Sequence, residues 1–204
     1  MGARVSDDVV WQCLISEPKG CIRLPVGDGL DLGQWSKQAA QTYLGTSAPR
    51  GEVRQLSSVL ARLAASSVLS DPTFAYAYVV DAAKAVTAVY EVHGYDSEGY
   101  GSAERLPDLI RDVLPTSPDR NEVTQIGLPA GPGVRVQEIQ SVVTGSIFKK
   151  KTMMETVTYA VLPAQAENVL VFRMSWTNLV FSETLLELAQ TLAESLELAE
   201  VKEG

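Results

Sequence analysis

From residue 119 to residue 176 the chain is four strand-like runs separated only by short turns. The runs are Glu122–Leu128, Val134–Val143, Lys151–Leu162 and Val169–Trp176. The breaks fall at Pro129-Ala130-Gly131-Pro132-Gly133, at Thr144 to Lys149, and at Pro163 to Asn168. Parallel neighbours need a crossover of about a dozen residues or more, and no break here is that long. The four runs are therefore expected to pair antiparallel. A further pair precedes them. Phe74 to Val80 alternates with Phe74, Tyr76, Tyr78 and Val80 on one face, and a short turn at Asp81 to Lys84 leads into Ala85–Val92. The fold class expected is α+β: a mostly antiparallel sheet of about six or seven strands sandwiched by helices.

The helices come from periodicity. Leu32–Leu44 carries Trp35, Ala39 and Tyr43 at spacing four. Glu52–Leu69 carries the stripe Val53, Leu56, Leu60, Leu63 and Ala64, with Arg62 off it, and Asp71-Pro72 ends it. A third helix covers about 103–114, with Pro107 in its first turns. The last begins at Ser182 as N-cap and presents Leu185, Leu188, Ala189, Leu192 and Leu196. Leu170, Phe172, Met174 and Trp176 alternate on one face of their strand, which is expected to lie under that helix.

At the N-terminal end, Val9 to Ser16, the turn Glu17-Pro18-Lys19-Gly20 and the return Cys21 to Leu24 read as a hairpin. An even loop sends Cys13 and Cys21 to opposite faces, so two free thiols are expected rather than a disulfide.

With 204 residues, 46% hydrophobic and 21% charged, the chain has the composition of a folded domain, and wholesale disorder is excluded. One globular domain over 1–204 is expected, with a frayed acidic tail from about residue 199. The net charge of −8 gives no electrostatic support for nucleic-acid binding. One His and two Cys are too few for a zinc cluster, so no metal is expected. No cofactor is expected either. Gly99-Tyr100-Gly101-Ser102 lacks the Gly-Lys-Ser/Thr of a phosphate loop and the third glycine of a dinucleotide fingerprint. There is no run of 18 apolar residues to span a membrane, and no basic-then-apolar leader. Met1-Gly2-Ala3-Arg4-Val5-Ser6 fits the myristoylation pattern, but Asp7 and Asp8 follow where a basic second anchor would stand. The compartment expected is the cytoplasm.

Three groups of residues could carry function. His93 is the chain's one histidine, the residue type suited to proton transfer at neutral pH, and adjoins a loop with Tyr95, Asp96, Ser97, Glu98 and Tyr100. That loop is the candidate for a small-ligand or catalytic site, although no nucleophile elbow accompanies it. Lys149-Lys150-Lys151, just after Phe148, is the basic cluster of an acidic chain, and suits an acidic protein partner or an edge strand guarded against pairing. From Glu183 to Gly204 there are six Glu and one Lys, a net of −5, which could meet that cluster in a second copy. Finally, Arg135, Glu138, Glu155 and Arg173 sit inside strands and are expected to pair across them.

The segments Glu155–Pro163, Val169–Leu179 and Leu185–Ala189 resemble a group of small bacterial, mostly actinobacterial proteins similar in layout to the PsbP-like fold, an antiparallel sheet between helices. The shared feature is strand, turn, strand, Thr-Asn, helix. The resemblance covers about residues 130–198 and implies a scaffold for binding or assembly-adaptor roles, with no catalytic residue to carry over. The leading expectation is a non-enzymatic binding or adaptor protein acting through a protein partner. A ligand-binding protein or enzyme using the His93–Ser102 loop, and a homo-oligomeric structural subunit, are the alternatives. A concave apolar-walled pocket touching His93 would favour the ligand reading.

Overall fold

A computed structural model describes residues 10–80, 85–113, 122–144, 150–164 and 168–201. Its main element is a seven-stranded, wholly antiparallel sheet in the order β2-β3-β4-β8-β7-β6-β5. The strands are β2 (Cys21–Leu24), β3 (Phe74–Val80), β4 (Ala85–Asp96), β5 (Glu122–Leu128), β6 (Gly131–Thr144), β7 (Lys150–Val161) and β8 (Asn168–Trp176). A separate two-stranded sheet joins β1 (Val10–Leu14) to β9 (Glu197–Val201). Four α-helices complete the described fold: α1 (Leu32–Leu44), α2 (Arg50–Ser70), α3 (Leu106–Val113) and α4 (Ser182–Glu194). The α+β layout read from the spacing of the turns is the one observed.

The period of two assigns each strand residue to a face. On one face Tyr76 stacks on Tyr90 with ring centroids 5.0 Å apart, Tyr90 meets Phe172 at 6.0 Å, and Phe172 meets Tyr159 at 5.8 Å. This aromatic row crosses β3, β4, β8 and β7, where direct cross-strand pairs contribute most. Phe172, Met174 and Trp176 lie in the same core as Leu185, Ala189 and Leu192 of α4, as their alternation predicts.

The opposite face is covered in two separate pieces. At the β2–β3 end, Ala75, Ala77 and Val79 offer small side chains on which Leu56 and Leu60 of α2 and Ala40 of α1 pack. The Ser36 and Ser57 hydroxyls meet at 3.1 Å between the two helices. α1 is capped by Asp31, whose carboxylate accepts from the Gln34 amide at 3.0 Å. At the other end, Leu106, Leu109 and Ile110 of α3 cover Val134, Val136, Ala160, Val169 and Val171. Pro107 stands at the second position of α3, where a missing N–H breaks no helical bond.

Four expectations are corrected. β1 does not form a hairpin with β2. It pairs with β9, and the Ser16 amide donates to the Ser195 hydroxyl at 3.1 Å. The turn between them instead seats on β3: Val79 donates its amide to Gly20, whose φ of +95° and a Val79 carbonyl 2.6 Å from any added Cβ leave room for glycine alone. Both cysteines are nonetheless free, half-buried thiols. The acidic end is ordered strand as far as Val201, and residues 202–204 lie outside the described residues. Ser182 is the first residue of α4 rather than its cap, and its hydroxyl is used elsewhere. The four charged strand residues do not pair with one another either. Arg135 and Glu155 are on the α4 face, Glu138 and Arg173 are on the other, and strand alternation keeps the two sets apart.

Candidate functional site

The two helical pieces pack on the ends of the sheet on their side and leave a polar middle between them. The register lays out the residues of that middle in rows. Val89, Ser175, Thr156 and Glu138 are cross-strand neighbours in one row, and Glu91, Arg173, Thr158 and Val136 in the next. Against these rows stands the C-terminal half of α2. Between helix and sheet lies an open cleft of about 550 Å³. Val59, Leu63, Val89 and Met154 give it apolar walls, while Arg62, Glu91, Arg173 and Ser175 supply the polar groups. A largely apolar concavity with few polar groups in fixed positions is the usual form of a small-molecule site.

The electrostatics turn on Glu91 and Arg173. They are direct cross-strand partners, yet no ion pair joins them among the described residues. One carboxylate oxygen of Glu91 accepts from Ser70 at 3.4 Å, and the other lies 3.5 Å from His93 Nε2. Arg173 is left with a buried Nε that has no hydrogen-bond partner. Nearby, the fully buried Thr156 hydroxyl and one oxygen of the buried Glu138 are unpartnered as well. Buried polar atoms are nearly always bonded, so three orphans in adjoining rows stand out, and of them Arg173 Nε is the one whose residue lines the cleft.

The α4 face carries a polar network centred on Glu155, beside which Arg135 Nε and the Tyr159 hydroxyl are also unpartnered. Glu155, 3% exposed, accepts from Gln137 at 2.7 Å with one oxygen. Its other oxygen accepts from Trp176 Nε1 at 3.1 Å and from the Ser182 hydroxyl at 2.5 Å. Arg135 in turn donates to Gln137 at 2.5 Å. Every polar atom of the Glu155 carboxylate is used, which fits a structural role.

The candidate ligand loop is rearranged. β4 runs on to Asp96, so His93 and Tyr95 are strand residues on the cleft side and stack with centroids 5.9 Å apart. Asp96 falls on the other face and accepts from the Glu98 amide at 2.9 Å, holding a turn. The His–Asp pairing suggested by adjacency is therefore replaced by His93–Glu91, two residues apart on one face. Tyr100 donates to Asp112 at 2.6 Å and ties the following loop to α3. Burial, partly offset by the Arg173 charge, raises the Tyr95 hydroxyl above its ordinary value, so it stays protonated at neutral pH. Of the basic cluster, Phe148 and Lys149 lie outside the described residues, Lys150 opens β7, and Lys151 is exposed.

Arg62, Glu91, Arg173 and Ser175 were thus missed as site residues. A signal was present in β8. From Leu170 to Trp176 the strand is apolar at every position of the α4 face, but its other face changes from Val169 and Val171 to Arg173 and Ser175. A strand covered on both sides reads apolar on both, so the change marks where helical cover stops.

No family model matches the chain, and no curated protein matches it. Among solved structures, the chain aligns with the crystal structure of LpqN involved in cell envelope biogenesis of Mycobacterium tuberculosis at 10% identity, over 96% of this chain and 87% of that one, with a TM-score of 0.43.

Proposed function

We propose that the protein is a binding protein that performs no covalent step, and that the cleft between α2 and the sheet holds a small molecule with an apolar body and an anionic or acceptor group turned to Arg173. The observation that carries this reading is the buried, unpartnered Arg173 Nε at the edge of an apolar-walled cleft. A guanidinium in that setting gains from an incoming oxygen that supplies the missing bond. The arrangement around His93 supports binding over catalysis, because among the described residues its ring meets a carboxylate and a tyrosine and no serine or cysteine nucleophile. The cytoplasm remains the proposed compartment, and no helix among the described residues is long and apolar enough to cross a membrane.

The test is a calorimetric screen of small aromatic and aliphatic carboxylates, each matched with its neutral amide. The expected result is preference for the acid by at least about tenfold, abolished in Arg173→Met. Equal binding of acid and amide, or preference that survives Arg173→Met, would contradict the reading.

A second reading keeps the protein partner. Lys151 and Met153 on β7 and Ile139 on β6 share the α4 face beyond the helix, and Met153 and Ile139 are 45% and 49% exposed. A cation beside exposed apolar side chains suits a partner surface with an acidic rim. Lys150→Glu with Lys151→Glu should then lower association with that partner at low salt and change little at high salt.

A further inference from the structure

α1 and α2 form a helical hairpin whose elbow, residues 45 to 49, encloses a second cleft of about 470 Å³. Two side chains one turn apart on each helix face across it. Lys37 and Gln41 project from α1, and Arg50 and Arg54 from α2. Val53 and the buried Ser57 form part of its lining. Three cations line this cleft and no carboxylate does, in a chain with 25 acidic and 17 basic residues. None of the three forms an ion pair among the described residues, whereas Arg105, just before α3, and Arg111 on it both reach Asp108. Concentrating unneutralised like charge in a concavity raises the local positive potential and attracts a compact, multiply charged anion.

We propose that this elbow cleft binds a small molecule through a phosphate or diphosphate group. Two guanidiniums present paired N–H donors to tetrahedral oxygens, and the Lys37 ammonium adds a third charge from the opposite wall. Gln41 can donate to a remaining oxygen. The site is separate from the Arg173 cleft, which takes its wall from the other end of α2.

The experiment is a calorimetric titration of the whole chain with inorganic pyrophosphate at low salt. Alongside it, sedimentation is measured with vesicles of phosphatidylcholine alone and of phosphatidylcholine with phosphatidic acid. The expected result is a pyrophosphate dissociation constant below about 1 mM. It should weaken about tenfold or more in Arg50→Gln and in Arg54→Gln, and fall with added salt. All the variants lie at exposed positions, and unchanged circular dichroism melts will show that they fold. Arg111→Gln, outside both clefts, should bind as the parent does. No pyrophosphate binding, or an equal loss in Arg111→Gln, overturns the proposal. Sedimentation with phosphatidic acid vesicles in the absence of pyrophosphate binding also overturns it, and assigns the cations to a membrane headgroup.

Discussion

The two faces of the seven-stranded sheet are built on the same strands and are covered differently. On the α4 face, aromatic side chains run unbroken across four strands, and the buried carboxylate of Glu155 has a donor for each oxygen. On the other face, helices cover the two ends and polar residues lie between them, three with orphaned atoms, against two such atoms, Arg135 Nε and the Tyr159 hydroxyl, on the α4 face. Stability is expected to be concentrated where cover is continuous, and the proposed binding role falls where it is broken. The same division is expected to appear in mutational energies.

Phe172→Ala should show the largest effect. The ring is fully buried in the aromatic row, and its removal should cost about 3–5 kcal/mol in urea unfolding. Ser175→Ala, three residues on and facing the cleft, should stay within about 0.5 kcal/mol. Similar losses at the two positions would erase the contrast.

Glu155→Ala comes next. It strands the donors of Trp176, Ser182 and Gln137, two of which are on strands of the core. A loss of about 2–3 kcal/mol is expected by the same measurement, with a change in tryptophan emission as the indole loses its acceptor. A loss under about 1 kcal/mol would mean that the network is not the support it is taken for.

Arg173→Met should sit on the other side of the comparison. It removes an unpartnered buried N–H and keeps an apolar stem of similar length, so stability should change by less than about 1 kcal/mol in either direction. A loss of several kcal/mol would make Arg173 a structural residue.

The smallest effect concerns the thiols. Cys13 and Cys21 pack against the α4-face core, and burial pushes both up to about 11. For Cys21 the Tyr90 hydroxyl, donating at 3.2 Å, opposes that rise. A raised thiol favours the protonated form in the fold. Its contribution to stability is therefore complete below the unfolded value, about 8.5, and is lost as pH rises toward 11. Iodoacetamide should modify both thiols on the order of a hundredfold more slowly at pH 8 than an unstructured cysteine. Rapid modification at that pH would show that this edge of the core is open.

Much of the fold was legible because turn spacing and periodicity are local. The meander from Glu122 to Trp176, the α1 bounds and the face of Phe172 under α4 all follow from residues within about one element of each other. The pairing of β1 with β9 does not. Ser16 and Ser195 meet across 179 positions, and nothing in Val9–Ser16 distinguishes that partner from the nearby Cys21–Leu24. The cleft was hidden for the same reason. Arg62 reads as an ordinary solvent-facing helix residue and Arg173 as a strand ion-pair member until topology sets them against each other. His93 drew attention by residue type, yet its local chemistry was set by the strand period, which joins it to Glu91 and separates it from Asp96.

The account stands most directly on where a bound carboxylate acts. Backbone amide shifts of labelled protein, followed during titration with the tightest acid from the matched screen, give that location. The account predicts perturbations gathered at Val59–Ser66, Val86–Glu91 and Arg173–Thr177, and their loss in Arg173→Met. Perturbations gathered instead on α4 and the β1–β9 pair, or unchanged in Arg173→Met, would contradict it.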